Sequence, residues 1–281
     1  MRVAVIGIGL MGAAIARRLD EVGGFDLVLW NRTQARAEEL GFGTVAQTPA
    51  AAVLGADLIV TSLLDPKAMR SVFAGTEGIL TSIANQLVLE TSTGGPAVLL
   101  ELTGLLAEKG SSLIDSPLLG STGAVLSGTL DIILGGDDSD IERAWPVISA
   151  LGEARRVGKV GDAAQLKLVH NTMLAVVSAI TAEVLVAATA AGIDRVEAFT
   201  MLTRISPYMK RREGGFLHED FNSVSFAMTG VVKDLDLAID LFHDVDASMP
   251  LTVLARELYA EATRENGDLD MSAIIRRYQN A

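Results

Sequence analysis

Over its first 160 residues the chain alternates between two apolar patterns. Short continuous runs rich in Val, Ile and Leu recur as RVAVIG from Arg2, FDLVLW from Phe25, ADLIVTSL from Ala56, NQLVLETS from Asn85 and GSSLIDSPL from Gly110; LDIILGG from Leu130 and ARRV from Ala154 follow. Continuous apolar runs, as opposed to strict alternation, are what strands buried on both faces of a parallel sheet need. Between the runs the apolar positions take helical spacing. LMGAAIARRLDEVGG ends on glycines, and the stretches Pro66 to Phe73 and Pro96 to Lys109 open on proline, whose fixed φ suits a first helical turn. The alternation predicts an α/β domain built on a doubly wound parallel sheet.

After Gly161 the pattern changes. From Ala163 onward only helical periodicity is visible, with breaks near Gly192, Gly214-Gly215, Asp246 to Pro250 and Asn266-Gly267. The organisation expected is a sheet domain over residues 1–162 and an all-helical domain over 163–281, joined by a long interdomain helix. The apolar stretch Leu174 to Ala191 approaches the length of a membrane span, but Thr181 and Glu183 interrupt it and Lys167 opens the same helical pattern. A buried helix is expected and not a span. A helix apolar on all sides must be covered by its own domain or by a second subunit.

Charge and composition narrow the function classes. The formal net charge of −12 argues against a nucleic-acid partner and means that an anionic ligand needs a local basic site. There is no cysteine, which excludes disulfides and thiolate metal sites and fits a reducing compartment. The N-terminal apolar run is short and broken by glycines, unlike a secretory signal. A cytoplasmic protein with no membrane or nucleic-acid partner is expected. His218 and His243 have no metal-ligand spacing, so no metal is expected either.

The chemistry begins between the first strand and the first helix. Gly7, Gly9 and Gly12 form G-x-G-x-x-G, in the loop Gly7-Ile8-Gly9-Leu10-Met11-Gly12. The first glycine permits a tight turn, the second lets backbone approach a pyrophosphate, and the third lets helix and strand pack closely; the free N–H groups of the helix then face phosphate. The same turn could serve an α/β protein without a dinucleotide. About twenty residues on, where an acid would bind the ribose 2′-hydroxyl of NAD, the chain carries Asn31, Arg32 and Thr33, with Arg36 close by. A guanidinium suits a 2′-phosphate, which points to NADP over NAD. The competing reading is a helix-capping NRT whose arginine is only solvated.

Taken together, GIGLMG and NRT resemble the β-hydroxyacid dehydrogenase family, which includes 3-hydroxyisobutyrate dehydrogenases and glyoxylate/succinic semialdehyde reductases. Further stretches match that family in order: ETSTGGP, DSPLLGSTGAVLSGTL, GKVGDAAQLKLVHN, FLHEDFNSVSFAMTGVVKDLDLA and MPLTVLARELYAEATRENGDLDMSAI. The resemblance covers essentially the whole chain. It implies a Rossmann domain followed by a helical substrate and dimerisation domain, and a homodimer or a tetramer of paired dimers. It implies Lys167 as the catalytic group, Asn171 beside the substrate, Thr93 near the nicotinamide ribose, Leu63 and Leu64 along the cofactor cleft, and Lys233 closing over the nicotinamide end. The residues support the first of these independently. Lys167 opens the long helix at the domain junction, a favoured place for ligands, and Asn171 follows one turn later on the same face. An ammonium beside a carbonyl donates a proton or stabilises alkoxide charge. The plain alternatives are a helix-surface lysine at 167 and a Lys233 that pairs with Asp234 or Asp236.

The chain also departs from the family. Leu119 stands where the substrate-loop serine is usual, which leaves backbone N–H groups from Gly120 to Gly123 and the hydroxyls of Ser121 and Thr122 to hold a carboxylate. His170 replaces a frequent asparagine and is expected to be a packed residue. Lys210 to Glu213, KRRE, is expected to be a solvated helix end; the alternative is that Arg211 or Arg212 reaches an anionic substrate. Three functions compete: an NADP-dependent oxidoreductase of a short hydroxy acid or its aldehyde or oxo acid; an imine reductase or a reductase of a less polar carbonyl, kept open by Leu119; and a silent NADP-binding scaffold. Lys167 speaks against the last two, since imine reductases usually carry another residue there and silent relatives lose the lysine.

Overall fold

The computed structural model describes residues 1–279. Its first unit runs in the order β1 (Arg2–Ile6), α1 (Leu10–Val22), β2 (Asp26–Trp30), α2 (Ala35–Glu38), β3 (Thr44–Val45), α3 (Pro49–Val53), β4 (Leu58–Thr61), α4 (Pro66–Ala74), β5 (Leu87–Glu90), α5 (Pro96–Ala107), β6 (Ser112–Asp115), β7 (Leu118–Leu119), α6 (Thr122–Ser127), β8 (Leu130–Gly135), α7 (Asp138–Leu151) and β9 (Gly152–Gly158). The strand order 3-2-1-4-5-6, all parallel, is that of a Rossmann sheet. The β-branched runs occupy β1, β4 and β5, whose residues are buried on both faces except at the first position of β1. One apolar core fills each face, one around Ile15, Leu19 and Val125, the other around Phe73, Met69 and Leu102.

The parallel sheet expected from the sequence is the part from β3 to β6; beyond β6 mixed strands extend it. Strand β8 runs antiparallel to β6 and β7 and parallel to β9. Ser116 and Pro117 break the strand after Asp115, and the two-residue β7 then pairs antiparallel with β8 across the short helix α6, so that β8 returns beside β6 in the opposite direction.

The second unit is helical: α8 (Asp162–Ala190), α9 (Arg195–Ile205), α10 (Glu213–His218), α11 (Met228–His243), α12 (Pro250–Asn266) and α13 (Arg276–Gln279). Among the described residues it holds no strand, only an isolated bridge between Ala227 and Asp270. Its core gathers Phe199, Phe216, Phe221, Met228 and Tyr259. Gly214 and Gly215, read as a break, lie inside α10; a Cβ on Gly215 would collide with the Ser272 hydroxyl, so this glycine serves packing. The two units divide within α8, between Lys167 and Leu168, because the opening turn of that helix packs with the sheet unit through the buried Ala164.

Candidate active site

The glycine loop is built by collision. Gly7 has φ +97°, and a Cβ there would strike the carbonyl of Ser62. A Cβ on Gly12 would strike the carbonyl of Gly7, so α1 can lie against the loop only without one. Gly9 is different: nothing lies within 4 Å of its Cβ position. It is the N-cap of α1 and supplies no side-chain cap, and the first turn of α1, Leu10 to Gly12, carries no acid. Open space beside a positive helix end fits an incoming pyrophosphate.

Asn31 ties the end of β2 to this loop. Its Oδ1 accepts from Ile8 N at 3.0 Å and its Nδ2 donates to Thr33 O at 2.9 Å. Arg32 and Thr33 are exposed, and the guanidinium groups of Arg32 and Arg36 join no ion pair among the described residues. Leu63 follows β4, and its N–H donates to Ser92 Oγ at 2.7 Å, which joins the loops after β4 and β5. Leu64 is exposed and Thr93 half-buried at the same edge. Ser92 was not foreseen as part of this arrangement.

Two buried acids close the carboxyl edge of the sheet. Glu90 and Asp115 are register partners at the ends of β5 and β6, and both are fully buried. Glu90 accepts from Thr61 Oγ1 at 2.5 Å and from Ser92 N at 2.6 Å. Burial raises its pKa, against those hydrogen bonds. Asp115 Oδ2 accepts from Gly161 N at 3.0 Å and Ala164 N at 2.8 Å. Burial pushes its carboxyl up to about 7; the two N–H groups oppose this, and the charges of Glu90 and Asp162 add to it. Neither acid was singled out from the sequence, although both lie in motifs that were.

Lys167 is half-buried, and its Nζ donates to Leu118 O at 2.7 Å, one residue before the Leu119 departure. Gly120, Ser121 and Thr122 are half-buried and Gly123 exposed; Ser121 is the N-cap of α6. The ammonium thus reaches the strand that leads into the substrate loop.

In the helical unit, Asn171 Nδ2 donates to Asp234 Oδ2 at 2.5 Å, and Lys233 Nζ lies 2.8 Å from Asp234 Oδ1. Asn171 and Asp234 are both buried. Asp234 therefore holds the amide of Asn171 in one orientation while it pairs with Lys233, so the ion pair weighed as the plain alternative for Lys233 is formed. His170 packs edge-on against Tyr208, with ring centroids 6.1 Å apart. The KRRE segment corrects one expectation. Arg212 is buried and paired with buried Asp270 at 3.6 Å, not solvated, while Arg211 lies 4.9 Å from the Tyr208 ring centre.

Comparison with known proteins accords with this geometry. Residues 2–174 match the family described as the NAD binding domain of 6-phosphogluconate dehydrogenase, and residues 161–278 match the NAD-binding domain of NADP-dependent 3-hydroxyisobutyrate dehydrogenase. The chain is 28% identical to glyoxylate/succinic semialdehyde reductase 1 of Arabidopsis thaliana, over 98% of this chain and 97% of that one. It is 29% identical to 3-sulfolactaldehyde reductase of Escherichia coli, covering 97% and 94%. The solved structure of Mycobacterium tuberculosis 3-hydroxyisobutyrate dehydrogenase with L-serine superposes with a TM-score of 0.84 at 25% identity, covering 98% of both chains. The chain belongs to the β-hydroxyacid dehydrogenase family and is a nicotinamide-dependent oxidoreductase of that type.

Proposed function

We propose that the protein is an NADP-dependent oxidoreductase that interconverts a short hydroxy acid and the matching aldehyde or oxo acid, with Lys167 as the acid/base. The observation that carries this reading is the Lys167 ammonium held 2.7 Å from the Leu118 carbonyl, at the entrance to the Gly120–Gly123 loop. Nicotinamide, when bound, supplies or takes the hydride at carbon. Lys167 donates the proton that the carbonyl oxygen needs on reduction and takes it back on oxidation, which balances the two-electron change. Asn171, one helical turn further along α8, offers an amide to the same oxygen. The loop's backbone N–H groups, with Ser121 and Thr122, hold the carboxylate. Lys167→Ala is expected to abolish turnover while NADPH still binds; retained turnover rejects the assignment.

The preference for NADP rests on Arg32 and Arg36, two exposed guanidinium groups beside the loop-bound Asn31. Gly7 to Gly12 hold the pyrophosphate, Leu63, Leu64 and Thr93 line the nicotinamide side, and Lys233 exchanges Asp234 for the cofactor.

The partner is a second copy of this chain. Helix α8 is the one helix among the described residues long and apolar enough to cross a membrane. Yet Leu166, Val169, Met173, Ile180 and Val184 stay exposed on it, in a stripe about 60° wide at 100° per residue. A narrow apolar seam is the form taken by helix-to-helix contacts, whereas lipid surrounds a span on every side. Met173→Lys should convert dimer to monomer in light scattering; a wild-type monomer at micromolar concentration refutes the assignment.

A further inference from the structure

Helix α8 cannot cap its own N-terminus. Its N-cap residue is Gly161, which has φ +98° and no side chain to turn back on the first turn. A side-chain acceptor normally satisfies the N–H at N2 or N3. Here that N–H, Ala164 N, and the N–H of Gly161 itself both donate to Asp115 Oδ2, from a residue 49 and 46 positions earlier. The cap is supplied by the sheet. Asp115 is itself fixed on both sides, paired with Glu90 of β5 and Gly135 of β8. Gly135 leaves the space: a Cβ there would lie 3.3 Å from Asp115 Oδ2 and against the Lys159 carbonyl. Three residues past Asp115 is Leu118, whose carbonyl receives Lys167 Nζ; three residues past Ala164 is Lys167. One short strand-end therefore grips α8 twice, at its first turn and at its lysine.

We propose that Asp115 is a positioning residue for Lys167: its buried carboxyl caps α8 from the sheet and so sets the height of the Lys167 ammonium along the Leu118–Gly123 segment. The proposal rests on the reading of Lys167 as the acid/base. A loose first turn lets α8 slide and rotate, and misplacement of a catalytic group by about 1 Å can cost about a hundredfold in rate. Among the charges that act on Asp115 are those of Glu90 from β5 and Asp162 from α8, both acids, and both oppose its ionisation.

The test uses the full-length protein with NADPH and succinic semialdehyde, comparing wild type, Asp115→Ala, Asp115→Asn and Lys167→Ala. Activity is read as kcat, cofactor binding as the NADPH Kd, and the helix start as amide hydrogen exchange over residues 159–168. In Asp115→Ala, kcat should fall at least about tenfold and the amides of the first turn should exchange about tenfold faster or more, with the NADPH Kd unchanged. Asp115→Asn, which retains an acceptor, should recover most of both losses. Faster exchange without loss of kcat, loss of kcat without faster exchange, or no change in either overturns the proposal. Should Asp115→Ala not fold, Asp115→Ser, whose hydroxyl is too short to reach Ala164 N, takes its place with the same expectations. Lys167→Ala separates the two claims. If it retains turnover, the acid/base reading fails and the proposal with it; if it is inactive while Asp115→Ala is fully active, the proposal alone fails.

Discussion

Replacing Asp115 with Asn should change how stability depends on pH. The carboxyl is displaced from its ordinary 3.8 to about 7, chiefly by burial. A displacement of that size corresponds to about 4 kcal/mol, taken as an upper value, by which the native state favours the protonated acid. The raised native pKa means that the native state keeps a proton the unfolded chain has lost. This contribution is fully present below pH 4, declines as pH rises, and is gone above about pH 7. Asn is neutral throughout. The stability of Asp115→Asn relative to wild type should therefore improve by about 2–3 kcal/mol between pH 5 and pH 7.5, at up to about 1.4 kcal/mol per pH unit. The two tryptophans, Trp30 and Trp145, both lie in the sheet unit, so their fluorescence in urea reports that unit's unfolding. A difference between variant and wild type that is the same at every pH, or that worsens for Asn as pH rises, would refute the reasoning. It would mean that the helix end keeps Asp115 ionised despite its burial beside Glu90.

Other outcomes follow from the same geometry. Arg32→Ala should raise the KM for NADPH about 10- to 100-fold, the worth of a charge-assisted contact to phosphate, and leave that for NADH nearly unchanged; equal effects reject the 2′-phosphate assignment. Gly9→Ala should leave the thermal midpoint close to wild type, since its Cβ meets nothing, yet weaken NADPH binding in a direct titration, whereas Gly12→Ala should destabilise the fold because its Cβ meets backbone. Arg212→Ala should destabilise the protein by about 3–5 kcal/mol in urea, because it strands buried Asp270. A stable Arg212→Ala protein with a raised substrate KM would return Arg212 to substrate binding.

How far the sequence reached depended on the distance over which each feature is determined. Buried strands β1, β4 and β5 announce themselves as apolar runs, and the glycine loop carries its steric requirement in its own spacing. β3 and β7 have two residues each, too few for any period, and the antiparallel pairing of β8 with β6 and β7 is a matter of strand direction, which hydrophobicity does not encode. The Asp115 cap was not legible because its partners are backbone N–H groups 46 and 49 residues away. Asp234 was visible only as a neighbour of Lys233; its hold on Asn171 spans 63 residues. Arg212 misled for a related reason: within KRRE it looks like surface, and the acid that draws it inward, Asp270, is remote in sequence.

As proposed, Lys167 is the acid/base by which this chain interconverts a short hydroxy acid and its aldehyde or oxo acid with NADP(H). The most direct measurement is NADPH oxidation by wild type and Lys167→Ala against glyoxylate, succinic semialdehyde, a bulkier apolar aldehyde and a cyclic imine, each repeated with NADH. Turnover of the acids by wild type with NADPH preferred, and its loss in Lys167→Ala, is the predicted result. Turnover confined to the apolar aldehyde or the imine, or undiminished in Lys167→Ala, would contradict it.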